Sequence, residues 1–136
     1  MHFDTKIAVV VRDDLETWQK LNITAFTVSG IAGTIEGILG EPYEDGAGNR
    51  YLPMFRQPVL VFCATAEQMK TVYERALSRQ LRFSLFTEEL FQTNTDQDNR
   101  AVVKACPQDA LNLVGLAMWA EKKQIEKVLK GVPLHQ

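Results

Sequence analysis

The stretch Lys6-Ile-Ala-Val-Val-Val11-Arg12-Asp13-Asp14-Leu15 decides how the chain is read. Five apolar residues stand together from Ile7 to Val11, and four of them are β-branched. Branching at Cβ stiffens χ1 and favours the pleated backbone. A run of this length without polar alternation reads as a strand buried on both faces, and such a strand needs cover above and below.

Outward from that strand, a long helix is expected from Leu15 or Trp18 to Leu39, capped by Asp13 with Glu16 or by Thr17. Trp18, Leu21, Ala25, Val28, Ala32, Ile35 and Leu39 recur at steps of three and four and form its expected core stripe. A second stripe carries Asn22, Phe26, Gly30, Gly33, Gly37 and Gly40. Each helical glycine costs ~1 kcal/mol against alanine, so this stripe predicts a close backbone approach or a break near Gly30. Asp45-Gly46, between Tyr43-Glu44 and Arg50-Tyr51, predicts a small hairpin. Val59–Cys63 reads as a second strand, and Thr65-Ala-Glu-Gln68 as a capping box opening a helix with Met69, Val72, Tyr73, Ala76 and Leu77 on one face. Leu81–Phe86 reads as a third strand, residues 88–100 as a polar loop, and Ala101–Cys106 as a fourth strand. Pro107 then suits the start of a last helix with Leu111, Val114, Met118, Ile125 and Leu129 inward, ended by Gly131 and Pro133. Strands alternating with helices, with no repeat and no linker, predict one α/β layered domain over residues 1–136.

The 136 residues, 46% hydrophobic and 24% charged, can bury one core without staples. A folded chain of 15.4 kDa should expose ~7,200 Å². Two cysteines, Cys63 and Cys106, exclude a disulfide framework, and the absence of an apolar span or a visible leader leads us to expect a cytoplasmic protein with no membrane association. The net charge of −2 is spread evenly, which argues against a dedicated basic nucleic-acid stripe, although Arg50, Arg56, Lys70, Arg75 and Arg79 could converge in space. No Cys/His cluster has zinc spacing and Asp96-x-Asp98 lacks the rest of a calcium loop, so no metal and no cofactor are expected.

Several residues together resemble the type 2 peptidyl-tRNA hydrolases: Val10-Val11-Arg12-x-Asp14-Leu15 after the first strand, Gln57-Pro58-Val59 before the second, Ser84-Leu85 in the third, and Cys106-Pro107 where that family has Gly-Pro. The wording of Thr17-Trp-Gln-Lys-Leu-Asn22, Gly40-Glu-Pro-Tyr43 and Leu52-Pro-Met54 is similar to an uncharacterised bacterial branch of that fold. The resemblance implies a four-stranded mixed sheet with helices on both faces, often as a homodimer. Along the first helix it sets Leu21, Ala25 and Val28 where that family has lysine, glutamine and histidine, with Lys20 one position away. It sets Glu88 at the family's acid and Ala101 at a threonine of the fourth strand. The frame and an acid are kept; the histidine and threonine are not.

Ligands of open α/β sheets lie beyond the carboxyl ends of the strands, which selects Arg12, Asp13, Asp14, the first turns of helix one, and Thr87-Glu88-Glu89. Arg12 has the fork to clamp a phosphate or carboxylate, or to pair structurally with Asp14 or Glu88. Asp13 and Asp14 suit helix caps as well as ligands, and Glu88 suits a general base only with a partner. Trp18 offers a stacking platform with Lys20 and Asn22 beside it, or else belongs to the core stripe. Cys63 reads as packing. Cys106, beside an expected helix start, has no histidine nearby in sequence, since His2 and His135 stand at the chain ends. The leading expectation is a relative of altered chemistry or a ligand-binding module, with Arg12, Asp14, Trp18 and Asn22 as ligand-binding residues and Glu88 and Lys20 as catalytic ones. Its ligand would be a small molecule or related to tRNA. One rival is a hydrolase of peptidyl- or aminoacyl-tRNA using Glu88 and Lys20. The other is a structural or regulatory homodimer, which would expose an apolar face such as the glycine stripe or Phe55.

Overall fold

β1 (Thr5–Arg12) is the buried strand its valines require, with Ile7–Val11 essentially closed to solvent. The computed structural model describes residues 3–136, so His2 lies outside the described residues. β1 pairs in parallel with β4 (Val59–Ala64) and antiparallel with β6 (Leu113–Glu121), and β5 (Arg82–Thr87) pairs antiparallel with the far side of β6. The sheet order is β4-β1-β6-β5, a four-stranded mixed sheet. Alternation along β1 divides the core. Ile7, Val9 and Val11 meet Ile23, Ile31 and Ile35 on the side of α1 (Thr17–Thr34), whereas Ala8 and Val10 meet α2 (Ala66–Ser78) and α4 (Lys122–Val128). Helices therefore cover both faces. Each fully buried aliphatic side chain, such as Val72, Ile125 or Val128, contributes about 1.5–3 kcal/mol of transfer free energy.

The expected hairpin forms as β2 (Tyr43–Glu44) against β3 (Arg50–Tyr51). The box at Thr65 caps α2, with Thr65 Oγ1 accepting from the Gln68 amide at 3.1 Å and the Gln68 side chain accepting from Thr65 N at 2.9 Å. The chain end also helps the sheet: Cys63 N donates to Pro133 O at 3.0 Å and His135 N donates to Val61 O at 2.9 Å, which protects the outer edge of β4.

Four expectations are corrected. Ala101–Cys106 is not a strand; residues Asp96–Lys104 form α3, after a 3-10 turn at Glu88–Gln92 in the expected loop. The Thr95 hydroxyl caps α3 by accepting from Asp98 N at 3.1 Å, and Asp96, Asp98 and Lys104 complement the helix dipole. Those local terms outweigh the strand preference of Val102-Val103. The last helix does not start at Pro107; Leu113–Glu121 is β6 and only the seven-residue α4 follows. Spacing alone does not separate a buried strand from a buried helix in an unbroken apolar run. α1 ends at Thr34 and not at Leu39, and its box joins Glu16 to Gln19. Finally, α1 turns Ile23, Thr27 and Ile31 to the sheet, leaving Trp18 60% and Leu21 66% exposed. Ile23 lies about 200° around the helix from Leu21, so Trp18, Leu21 and Ala25 of the expected stripe face outward, while its Val28 and Ile35 do pack in the α1-side core. The expected close approach does occur at Gly30, where an added Cβ would touch Ser84 Cβ of β5 at 3.4 Å. Phe55 is half-buried against the α1-side core.

Candidate functional site

Three chain segments end together at one edge of the sheet. β1 delivers Arg12, β5 delivers Thr87 and Glu88, and the chain enters β6 at Asn112 and Leu113. Two backbone bonds tie this end together: Asp13 N to Ala64 O at 2.8 Å and Glu88 N to Asn112 O at 3.0 Å.

The Arg12 side chain, 13% exposed, organises the polar groups there. Its Nε donates to Asp14 Oδ1 at 2.6 Å, and its Nη1 donates to Asn112 Oδ1 at 3.1 Å and to the Leu113 carbonyl at 3.4 Å. Asn112 Nδ2 in turn donates to Glu88 Oε2 at 2.6 Å. Asp14, Arg12, Asn112 and Glu88 thus form one chain of charge-assisted hydrogen bonds, which are the stronger kind. The bond from Arg12 holds the Asp14 carboxyl below its ordinary value of 3.8 against the opposing cost of burial, with the Arg12 charge and the more distant Lys20 acting in the same sense as the bond. None of these bonds uses Arg12 Nη2.

Beside Arg12 opens a cleft of about 260 Å³ between α2 and the segment leading into β6. Met69, Tyr73 and Leu111 supply apolar wall, Arg12, Lys70, Gln108 and Asn112 supply polar groups, and Glu74 and Asp109 add two carboxylates. A larger groove of about 460 Å³ runs between α1 and β5, along Ile35, Phe83 and Trp119. Convergent polar groups at the carboxyl ends of strands favour the smaller cleft as the ligand site.

Arg12, Asp14 and Glu88 are therefore gathered into one network. The other selected residues lie elsewhere. Trp18 packs edge-on against Phe91 with ring centroids 5.5 Å apart. Asn22 follows it one turn along α1, half-buried. Lys20 points another way, with Nζ 3.1 Å from Nε2 of His135 in the terminal segment beside β4. Trp18 and Lys20, two residues apart and so about 200° apart around a helix, do not line a common pocket. Sequence reasoning missed Asn112, the link between Arg12 and Glu88, and set aside His135 as remote. The turn-forming Asn112 just before an apolar run was the available signal for the first; nothing local signals the second. Cys63 and Cys106 are free and half-buried. Cys106 closes the turn after α3, with its amide on Val103 O at 3.1 Å, so it does not sit at an α-helix N-terminus. Among the described residues no three His, Cys, Asp or Glu side chains gather as metal ligands, and no helix is long and apolar enough to cross a membrane.

A mixed four-stranded α/β domain with a polar cleft at the strand ends is the class these features define. The chain belongs to the DUF2000 family, described as a protein of unknown function, whose profile matches residues 5–136. It is similar to a solved structure of a protein of unknown function from Agrobacterium tumefaciens, with 46% identity and a TM-score of 0.96 over 99% of this chain and 100% of that one. No curated protein matches it.

Proposed function

We propose that the protein is a ligand-binding domain, built on a frame resembling the type 2 peptidyl-tRNA hydrolases, whose cleft beside Arg12 takes a compact anionic molecule. The observation that carries this reading is the largely buried Arg12, held at three points by Asp14, Asn112 and the Leu113 carbonyl while Nη2 takes part in none of those bonds. A guanidinium fixed in this way is preorganised for a carboxylate or phosphate. Lys70 on α2 adds a second cation to a wall that also carries Glu74 and Asp109, so the selectivity for an anion rests on the fixed Arg12 fork rather than on net charge. A volume of about 260 Å³ falls just below the ~300–1,000 Å³ of ordinary ligand sites, which favours a very small molecule over a nucleic-acid strand. In this reading Arg12 binds, Asp14 and Asn112 orient it, and Glu88 fixes Asn112. Trp18, Asn22 and Lys20 lie outside the cleft.

Ester hydrolysis by Glu88 with Lys20 has weaker support. Glu88 follows β5 and Lys20 meets His135 beside β4, the two opposite edge strands, about three spacings of ~4.8 Å apart.

The test is titration of inorganic phosphate and of succinate into ¹⁵N-labelled protein. Chemical-shift changes at Arg12 Nε, the Asn112 side-chain amide and the α2 residues around Lys70, weakened in Lys70→Met and lost in Arg12→Met, are expected. No change at these signals with either anion at millimolar concentration overturns the reading. Release of the blocked amino acid from an N-acetyl-aminoacyl-tRNA, abolished in Glu88→Ala, would establish the hydrolase instead.

A further inference from the structure

The outer face of α1 and the hairpin that follows it each expose large apolar side chains and do not cover one another. We propose that they cover each other between two copies of this chain, the hairpin arm of each protomer lying over the outer face of α1 of its partner.

The helix supplies the first observation. α1 buries Ile23, Thr27 and Ile31 against the sheet, yet its opposite side carries Trp18, Leu21, Ala25, Phe26, Ser29 and Gly33. Trp18, Leu21 and Phe26 are 60%, 66% and 54% exposed. Lys20 is the one ionisable residue in Thr17–Thr34, and its ammonium is turned to His135. Trp18, Leu21, Ala25 and Phe26 form an apolar patch that the fold itself leaves uncovered, and a contiguous exposed apolar patch marks an interaction surface. A face without charge offers nothing to a polyanion or to a charged peptide, whereas it suits the exposed aromatic and aliphatic side chains of the hairpin.

The arm supplies the second. Its base is fastened to the domain by the Leu39–Phe55 bridge and by Arg56 N to Ile38 O at 3.0 Å. Beyond that base, Tyr43, Tyr51, Leu52 and Met54 are all exposed, Leu52 by 84%. The tip is nonetheless rigid. The Asp45 carboxylate accepts from Ala47 N at 2.9 Å, from Asn49 N and Nδ2 at 3.0 Å each, and from the Tyr51 hydroxyl at 2.6 Å. A two-stranded hairpin is marginal alone and gains stability by packing on something. An organised arm with an apolar side and no core of its own is preformed for docking.

The areas agree. The chain exposes 8788 Å², well above the ~7,200 Å² expected of a folded monomer of this mass. The seven large side chains named on helix and arm, at roughly 100 Å² of exposed surface each, present about 700 Å² per protomer, close to the ~800 Å² per partner of a standard interface. A two-fold axis uses both surfaces of both copies, which closes the assembly at two.

Light scattering on the full chain tests this. The wild type is expected at twice the 15.4 kDa chain mass. Leu21→Asp and Leu52→Asp each place two charges in the symmetric interface, so each should raise the dimer Kd at least ~100-fold, about tenfold per charge, with an unchanged far-UV spectrum. Mixing the two variants gives a heterodimer that keeps one arm-on-helix contact intact and puts both charges in the other; a second charge in a contact already lost adds little, so the mixture should associate at concentrations where neither variant alone does. A wild type of single-chain mass overturns the proposal and leaves these surfaces to a different partner. Failure of the mixture to associate overturns the arm-on-helix pairing.

Discussion

Gly115 stands near the start of β6, opposite Val11 of β1, beneath α1. A Cβ at this position would lie 2.3 Å from Cγ2 of Ile23 and 3.2 Å from the Val10 carbonyl oxygen. The first distance is far inside van der Waals contact, so in Gly115→Ala either the Ile23 rotamer or α1 itself must move. Overpacking of one methyl in a closed core costs about 1–3 kcal/mol. Replacing a strand glycine by alanine returns roughly 0.5–1 kcal/mol through the lower entropy of the unfolded chain. The net expectation is a loss of about 1–2 kcal/mol, equivalent to a fall in Tm of roughly 4–8 °C for a domain of this size. Urea unfolding followed by circular dichroism and tryptophan fluorescence would read it as a lower midpoint at unchanged slope. Ile23→Ala alone should cost about 2–5 kcal/mol by leaving a cavity. It also removes the methyl that meets the new Cβ, so the double variant should be at least ~1 kcal/mol more stable than the sum of the two losses predicts. Gly115→Ala with wild-type stability, or strict additivity in the cycle, would refute the claim that this glycine exists to let α1 sit on the sheet.

Three further outcomes follow from the same geometry. Because the Arg12 bond lowers the Asp14 pKa, its contribution to stability is in place above about pH 4 and is lost as the pH falls through the lowered folded value; carboxyl ¹³C titration should place the Asp14 midpoint below 3.8 in the wild type and higher in Arg12→Met. Tyr51 donates to Asp45, which raises the phenol above 10.0, so Asp45→Ala should return the Tyr51 titration to its ordinary position by ultraviolet difference spectroscopy and speed hydrogen exchange of the Ala47 and Asn49 amides. Thr65→Ala removes the hydroxyl that caps α2 and should cost about 1 kcal/mol in denaturant unfolding.

Local chemistry made some elements legible in the sequence. The β-branched runs of β1 and β4, the box at Thr65 and the Asp45-Gly46 turn each state their structure within a few residues, because torsional preference and side-chain capping act over that range. The α/β layering follows from their order. The β6 run was not legible: Leu113 to Ala120 is apolar throughout, and only the insertion of that segment between β1 and β5 makes it a strand. Gly115 within it was a usable signal, since a glycine inside an apolar strand marks a close backbone approach. α3 was misread because the cap at Thr95 was overlooked, not because it was hidden.

The site divides in the same way. The strand-end position of Arg12, Asp14 and Glu88 could be read from the chain, because strands deliver their last residues to one edge of a sheet. Their connection could not. Asn112 is 100 residues from Arg12 and 24 from Glu88, and it joins them only because β6 runs between β1 and β5. The meeting of Lys20 with His135, 115 residues apart, depends likewise on the terminal segment lying along β4. The outward turn of Trp18 is also a tertiary decision: α1 is apolar on more than one side, and the sheet chose the side of Ile23 because Gly115 leaves room there for its methyl group. The sequence determined which segments are strands and helices wherever the governing forces are local. Which face of α1 is buried, which polar groups converge and which apolar surfaces are left exposed were settled by packing between residues far apart in the chain.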